Sequence, residues 1–238
     1  MKWLVDNFDV VLGLAKTHLY LSIVPLLIGL VIAIPVGTLI RNTRWVRRTT
    51  LTLASIAFTI PSLALFVTVP AIVGLPILDP LNVVIALAVY STALLIRAVP
   101  EALDSVPFAV VDSAEAMGYS TIRRAVSVEL PLSLPVLIAN VRVVAVTNIS
   151  LVSVGSVIGI GGLGQLFTQG YQRDYPDQIV AGIISIVFLA LVFDAVLYLL
   201  GRWLTPWTRL SSASKKKTTA SQKTTVSQKA TGSTEGPA

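Results

Sequence analysis

Few residues of this sequence have the types and spacing that enzyme chemistry requires. The chain contains no cysteine, which excludes disulfides, thiolate metal sites and a cysteine nucleophile. It contains one histidine, His18, which cannot form a histidine cluster around a metal and is more simply interpreted as a side chain at the membrane interface. No apolar segment carries a pair of carboxylates, so the sequence lacks the constellation of an enzyme active site.

Polar and ionisable residues nevertheless lie within two apolar segments. Arg142 and Asp194 are ionisable, and such groups are costly in hydrocarbon, so they tend to face protein or water. Four uncharged polar residues follow on the segment of Arg142, namely Thr147, Asn148, Ser150 and Ser153. Because their spacing does not put them on one helix face, we expect some to line a translocation path or an interface and others to bond between helices.

The two ionisable residues each have a second interpretation. Arg142 can equally be an interfacial cation anchored near the cytoplasmic headgroups. Asp194 has Arg202 eight residues further on, about two helical turns away, which favours a structural hydrogen bond over a role in transport.

Long runs without charge predict that helices crossing a membrane position these residues. Of the 238 residues, 54% are apolar and only 13% are charged, which disfavours a soluble helix bundle. A helix needs about 20 apolar residues to cross about 30 Å of hydrocarbon. Five runs approach or exceed this length, the third with Arg97 extending from its end: 19–40, 49–78, 81–96, 143–172 and 179–201. We predict an all-α membrane protein with five spans, the second kinked at Pro61 and Pro70.

The charges of the loops predict the orientation of the spans. Residues 41–48 carry four arginines, and basic residues also follow the third and fifth spans. Residues 76–80 carry no cation, and residues 159–178 carry one arginine against two aspartates. Basic residues accumulate in short cytoplasmic loops, so we expect the N-terminus outside and the C-terminus inside the cell.

The two ends of the chain differ from its apolar middle. Residues 1–18 have apolar side chains at near-helical spacing and no cleavage signal, which predicts an N-terminal interfacial segment on the membrane. Residues 211–238 carry five lysines and one glutamate with almost no apolar content, which predicts a disordered basic cytoplasmic tail. That tail has no interleaved aromatic residues, so nucleic-acid binding is not expected.

The segment from about 101 to 131 is the longest that we place on the cytoplasmic side. Residues 105–117 predict a short helix with an apolar stripe, which ends at Gly118 because glycine adopts the left-handed conformation at low cost. A second short helix is expected from about residue 120 to Leu130 and must stop at Pro131. The exposed stripe has to pack against the ends of the spans or in a groove of a partner.

This segment resembles the EAA coupling signature of ABC importer permeases. The signature runs Glu-Ala-Ala, three residues, Gly, nine residues and Ile-x-Leu-Pro. Its counterparts here are Asp112-Ser113-Ala114, then Glu115, Gly118, Val128, Leu130 and Pro131. Asp112 and Ser113 depart mildly from the signature, since charge sign and small size are kept. The resemblance implies that Asp112, Ala114 and Glu115 contact an ATPase subunit and that Gly118 is a hinge.

The resemblance extends over about residues 17 to 207 and is greatest to the osmoprotectant branch. It implies the type I ABC importer permease fold, similar to the methionine importer, in a transmembrane domain over residues 19–210. The run Gly161-Gly-Leu-Gly164 is shared with methionine-importer permeases. It is no phosphate loop, because no Gly-Lys-Ser/Thr follows, and the sequence contains no Walker motif.

The resemblance implies a multi-pass permease of the cell membrane that imports an osmoprotectant such as glycine betaine, choline or carnitine. It implies four kinds of partner: a second permease chain, two ATP-binding subunits that hold ATP and magnesium, an extracytoplasmic substrate-binding protein and the lipid bilayer. We expect no cofactor in this chain and no enzyme activity of its own. A methionine or amino-acid importer permease and, from another class, a stand-alone secondary transporter are the alternatives.

Overall fold

The computed structural model describes residues 2–41 and 43–207 and folds most of them into helices. The chain divides into a unit over Met1–Leu199 and a unit over Leu200–Ala238, of which the second is described as far as Trp207. The basic tail predicted at residues 211–238 lies outside the described residues. The predicted all-α class is confirmed.

The helices follow one another with short connections. Ten α-helices are described: α1 (Lys2–Asp6), α2 (Phe8–Ile40), α3 (Arg44–Thr59), α4 (Ser62–Val73), α5 (Pro80–Asp104), α6 (Phe108–Ala116), α7 (Thr121–Arg124), α8 (Leu130–Gly155), α9 (Gln165–Gln172) and α10 (Pro176–Leu204). A π-helical turn, Ala125–Glu129, joins α7 to α8, and two 3₁₀ turns, Ser156–Ile158 and Gly162–Gly164, separate α8 from α9.

Four helical stretches of the described chain are long and apolar enough to cross a membrane: Phe8–Ile40, Pro80–Asp104, Thr121–Ile158 and Pro176–Leu204. A fifth is reached only if α3 and α4 together form one span, and these two helices meet at 99°. The kink predicted at Pro61 is thus a break, because the residue before a proline is driven out of helical geometry, and Ile60 is extended with ψ 129°.

The predicted boundary after residue 18 is not a break in the helix. α2 runs without interruption from Phe8 to Ile40, so most of the expected interfacial segment belongs to the same helix as the first apolar run. The physical reason is that no proline, the residue that most strongly disrupts a helix interior, lies between Phe8 and Pro25.

Small residues let α2 and α5 approach closely. An ideal Cβ at Gly29 would lie 2.8 Å from the Cβ of Ser91, and one at Gly37 would lie 2.7 Å from the Cβ of Val99. Ala33, midway between the two glycines, is fully buried. Spacing of four residues puts all three on one helix face, which is the small-residue pattern of closely packed membrane helices.

Two clusters of buried side chains form the core between α2, α5 and α8. One contains Leu21, Phe66, Val83, Leu87, Tyr90 and Val152. The other contains Leu26, Leu95, Val99, Leu103, Leu137 and Val144. By contrast, the 16 residues of α3 include none that is buried. α3 therefore presents apolar surface to its surroundings, as a helix in lipid or at a subunit interface does.

Candidate functional site

The loop between α5 and α8 contains a helix, α6, that ends in a defined cap. The N–H of Gly118 donates to the carbonyl of Glu115 at 2.9 Å, and that of Tyr119 donates to the carbonyl of Ala114 at 3.1 Å. Gly118 has φ +81°, so these bonds form a Schellman motif with glycine at its left-handed position. The conformation predicted for Gly118 is confirmed.

One face of α6 is exposed and the other packs against the rest of the chain. The residues of the predicted signature lie on both faces. Asp112 and Glu115 are exposed, as are the apolar side chains of Phe108 (80%) and Met117 (69%). Ala114 is only 1% exposed. Its methyl group packs inside this chain, and the contact of Ala114 with an ATPase subunit stays a prediction.

The second helix of the loop does not stop at Pro131, contrary to the sequence prediction. The chain remains helical from Thr121 to Ile158, because the π turn before the proline shifts the hydrogen-bonding register. There the N–H of Leu130 donates to the carbonyl of Ala125, five residues back. Pro131 then lies in the first turn of α8, where its missing N–H is tolerated. Leu130 packs against the second core cluster, so Leu130 and Pro131 join the loop to the bundle.

Arg142 on α8 and Asp194 on α10 form a bidentate ion pair. Nε of Arg142 donates to Oδ1 of Asp194 at 2.8 Å, and Nη2 donates to Oδ2 at 2.6 Å. The guanidinium also lies 5.2 Å from the ring centroid of Tyr198. Arg142 thus bonds between two helices, and its position relative to the headgroups stays a prediction.

The structural hydrogen bonding expected of Asp194 is observed, and the partner that the structure shows for it is Arg142. Arg202 lies eight residues further along the same chain, which is about 12 Å of helix rise. The ion pair brings Arg142 of α8 into direct contact with Asp194 of α10.

The polar residues of α8 serve different contacts. Asn148 is fully buried, and its Nδ2 donates to Oγ of Ser91 on α5 at 2.8 Å and to the carbonyl of Ser22 on α2 at 3.2 Å. The hydroxyls of Thr147 and Ser153 donate to carbonyls of their own helix. Asn148 is therefore one of the expected residues that bond between helices.

His18 is fully buried, so its interpretation as an interfacial side chain was wrong. Its Nε2 lies 2.9 Å from the carbonyl oxygen of Ile149, and because that oxygen accepts, Nε2 carries the proton. The run Gly161–Gly164 folds against it: an ideal Cβ at Gly162 would lie 2.7 Å from the Cβ of His18. The sequence offers no local signal for this contact, because His18 and Gly162 lie 144 positions apart in the chain.

Gly162 should therefore not tolerate a side chain. Gly162 has φ +46°, and an added methyl group would also lie 2.8 Å from the backbone of His18. We expect Gly162→Ala to lower stability by about 1–3 kcal/mol, as overpacking does, and to reduce the amount of monodisperse protein in detergent. Thermal scans with size-exclusion detection measure the loss.

Gly13→Ala is the matched control for this substitution. Gly13 lies within α2, and nothing is within 4 Å of its ideal Cβ. Alanine favours a helix, so the control should be neutral or stabilising. Equal behaviour of the two variants would show that the glycine turn does not need its close contact with His18.

Comparison with known proteins shows the family of this chain. Residues 26–210 match the family described as the binding-protein-dependent transport system inner membrane component. The chain belongs to this family. It is a multi-pass membrane protein, the permease component of an ABC importer, which confirms the resemblance inferred from the loop signature.

The sequence of this permease aligns with most of the length of several relatives. The osmoprotectant import permease protein OsmW of Salmonella typhimurium is 33% identical over 86% of this chain and 96% of its own. The carnitine transport permease protein OpuCB of Listeria monocytogenes is 31% identical over 79% of this chain and 85% of its own. A chain from an inward-facing crystal structure of the MetNI methionine ABC transporter superposes with TM-score 0.75 and 25% identity, covering 86% of this permease and 98% of that chain.

Proposed function

We propose that this permease imports a small osmoprotectant such as glycine betaine, choline or carnitine. The observation that carries the proposal is the 33% identity to the osmoprotectant permease OsmW along 96% of that relative. Permeases for choline and for glycine betaine, carnitine and choline from Bacillus subtilis match at 27% and 26% identity. A methionine substrate, suggested by the fold of the MetNI chain, has the weaker support of 25% identity.

The proposed membrane topology has five spans, with the N-terminus outside and the C-terminus inside. It treats α3 and α4 as one broken span between the end of α2 and the start of α5. Ion pairs of Asp104 with Arg41 and Arg47 support it, because they bring the ends of α2 and α5 and the start of α3 to one end of the bundle. That end carries the basic loops, which accumulate on the cytoplasmic side.

The proposed partners are a second permease chain, two ATP-binding subunits and an extracytoplasmic binding protein. This chain would carry no cofactor, since ATP and magnesium would be bound by the ATP-binding subunits. Asp112 and Glu115, with the exposed apolar side chains of Phe108 and Met117, offer a surface of mixed character for docking into a cleft of such a subunit. Gly118 ends the helix that carries this surface and would act as its hinge.

The polar residues of α8 contribute unequally to the proposed translocation path. Thr147 and Ser153 are partly exposed and bond only locally among the described contacts, so they are candidates for lining the path. Asn148 and the pair of Arg142 with Asp194 bond between helices, and their proposed role is to hold the bundle that surrounds the path.

Uptake by reconstituted vesicles tests this function. The permease is assembled with its ATPase subunit and binding protein, and entry of labelled glycine betaine is followed with and without ATP. We expect ATP-dependent uptake that excess choline or carnitine inhibits and excess methionine does not. Uptake inhibited by methionine would favour the amino-acid importer, and uptake without ATP would favour a secondary transporter.

A further inference from the structure

The loop between α5 and α8 is tied to the bundle by a chain of ion pairs. Its six members are Glu115, Arg124, Glu129, Arg41, Asp104 and Arg47, which we call the ion-pair chain. It contains three cations and three carboxylates, so its charges balance. Residues between 5 and 88 positions apart in the sequence meet in it.

Glu129 is the centre of this ion-pair chain. Its side chain is only 1% exposed, and each carboxylate oxygen receives a different arginine. Oε1 accepts from Nε of Arg124 at 2.6 Å, and Oε2 accepts from Nη1 of Arg41. A carboxylate buried between two guanidiniums is held by strong, directional bonds, and it cannot lose either partner without leaving a charge unpaired in a poorly solvated site.

The ion-pair chain reaches α6 on one side. Arg124, 11% exposed, binds the carboxylate of Glu115 as well as that of Glu129. Glu115 precedes the cap at Gly118 and Arg124 follows it, so this pair bridges the bend between α6 and α7. Rotation of α6 about Gly118 must therefore move Arg124 or break its bond to Glu115.

The ion-pair chain reaches the long helices on the other side. Arg41, at the end of α2, binds Asp104 at the end of α5 at 2.7 Å, and Asp104 also accepts from Arg47 of α3 at 2.8 Å. Displacement of α6 thus has a route through side chains, by way of Glu129 at the end of the π turn, to the ends of α2, α3 and α5.

We propose that Glu129 is a positioning residue that makes α6 and the ends of α2, α3 and α5 move together, and thereby couples the ATPase subunit to the translocation path. This inference rests on the proposed function of the α5–α8 loop. It extends that function to a residue within the signature at a position that the signature leaves free, between Val128 and Leu130. Glu129 itself touches neither ATP nor substrate.

Glu129→Gln tests the inference, since it keeps the size of the side chain and removes its charge. The complex of the permease with its ATPase subunit and binding protein is reconstituted, and imported glycine betaine is measured per ATP hydrolysed. We expect ATP hydrolysis to continue while this ratio falls about 2- to 30-fold, the range found for residues that carry coupling between sites. Glu129→Asp, which keeps the charge, should restore part of the ratio.

Two further variants keep the test decisive. Glu101→Gln removes the carboxylate of the nearby pair with Arg97, whose side chains are 54% and 66% exposed, and should leave the ratio unchanged. Asp104→Asn interrupts the ion-pair chain at a carboxylate that is 39% exposed, so it leaves no buried carboxylate without a partner. It therefore tests the inference if Glu129→Gln does not fold. We expect it to lower the ratio to a smaller extent.

The outcomes separate the inference from the function on which it rests. A wild-type ratio in Glu129→Gln, or in Asp104→Asn where the first variant is not recovered folded, would overturn the inference while ATP-driven uptake by the unaltered complex stands. Failure of the unaltered permease to bind an ATPase subunit would instead overturn the proposed function.

Discussion

Replacing Gly118 with valine should leave the permease in the membrane but stop ATP hydrolysis from driving transport. Gly118 has φ +81°, and this left-handed conformation costs an L-residue about 1–2 kcal/mol, with a further cost for a β-branched side chain. No atom lies within 4 Å of its ideal Cβ, so an added Cβ meets no neighbour and the main expected effect is on the backbone conformation. The Schellman bonds that orient the end of α6 would be lost.

The measurement is substrate-stimulated ATP hydrolysis and uptake by the reconstituted complex. We expect Gly118→Val to retain membrane insertion and to lose stimulation almost completely. Gly118→Asn should retain much of it, because asparagine tolerates the left-handed conformation better than other residues with a side chain.

Gly74→Val is the control for backbone strain. Gly74 caps α4 with φ +77° and also has nothing within 4 Å of its ideal Cβ, so the two variants impose the same local cost at different places. Stimulated hydrolysis at the wild-type level in Gly118→Val would contradict the coupling role of the α6–α7 bend. An equal loss of stimulated hydrolysis in Gly74→Val would contradict it as well.

Breaking the pair of Arg142 with Asp194 should destabilise the bundle more than removing both charges does. Arg142→Leu leaves Asp194 unpaired on a membrane-spanning helix, and Asp194→Leu leaves the arginine unpaired; both are unfavourable in hydrocarbon. The double variant removes both charges, and replacement of a whole ion pair by apolar residues is often neutral. We expect each single variant to lower the Tm in detergent by several degrees and the double variant to recover much of the loss.

Thr147→Val on the same helix is the control for this double-mutant cycle. Its hydroxyl donates to the carbonyl of Val143, four residues back, so its removal should change the Tm little. Additive losses in the double variant would show that the two charges do not stabilise α8 against α10. A double variant that folds but no longer transports would instead assign the pair to the translocation path.

The features that the sequence predicted correctly are those encoded locally. Charge-free runs predicted membrane helices because the length of hydrocarbon to be crossed fixes the length of such runs. The left-handed cap at Gly118 was predictable because glycine is the residue that most often ends a helix in this conformation. The spacing of Gly29, Ala33 and Gly37 is also a local signal, because small residues four positions apart indicate a closely packed helix face.

The features that were not predicted depend on which helices become neighbours. Asp194 had Arg202 on its own helix as a visible partner, whereas Arg142, 52 residues away, reaches it only after α8 packs beside α10. Glu129 meets Arg41 across 88 residues for the same reason. Pro131 was expected to end a helix because the rule for prolines does not anticipate a π turn before it.

One cross-link tests the central claim, that the α5–α8 loop contacts a separate ATPase subunit inside the cell. The chain has no cysteine, so Met117→Cys, at an exposed position of this loop, introduces a unique thiol. Gln172→Cys at the end of α9 is the control at the opposite side of the proposed topology. The account predicts that Met117→Cys cross-links to the ATPase subunit in inner-membrane vesicles and that Gln172→Cys does not. Labelling of Met117→Cys by a membrane-impermeant maleimide added to intact cells, with no adduct to a second polypeptide, would contradict it.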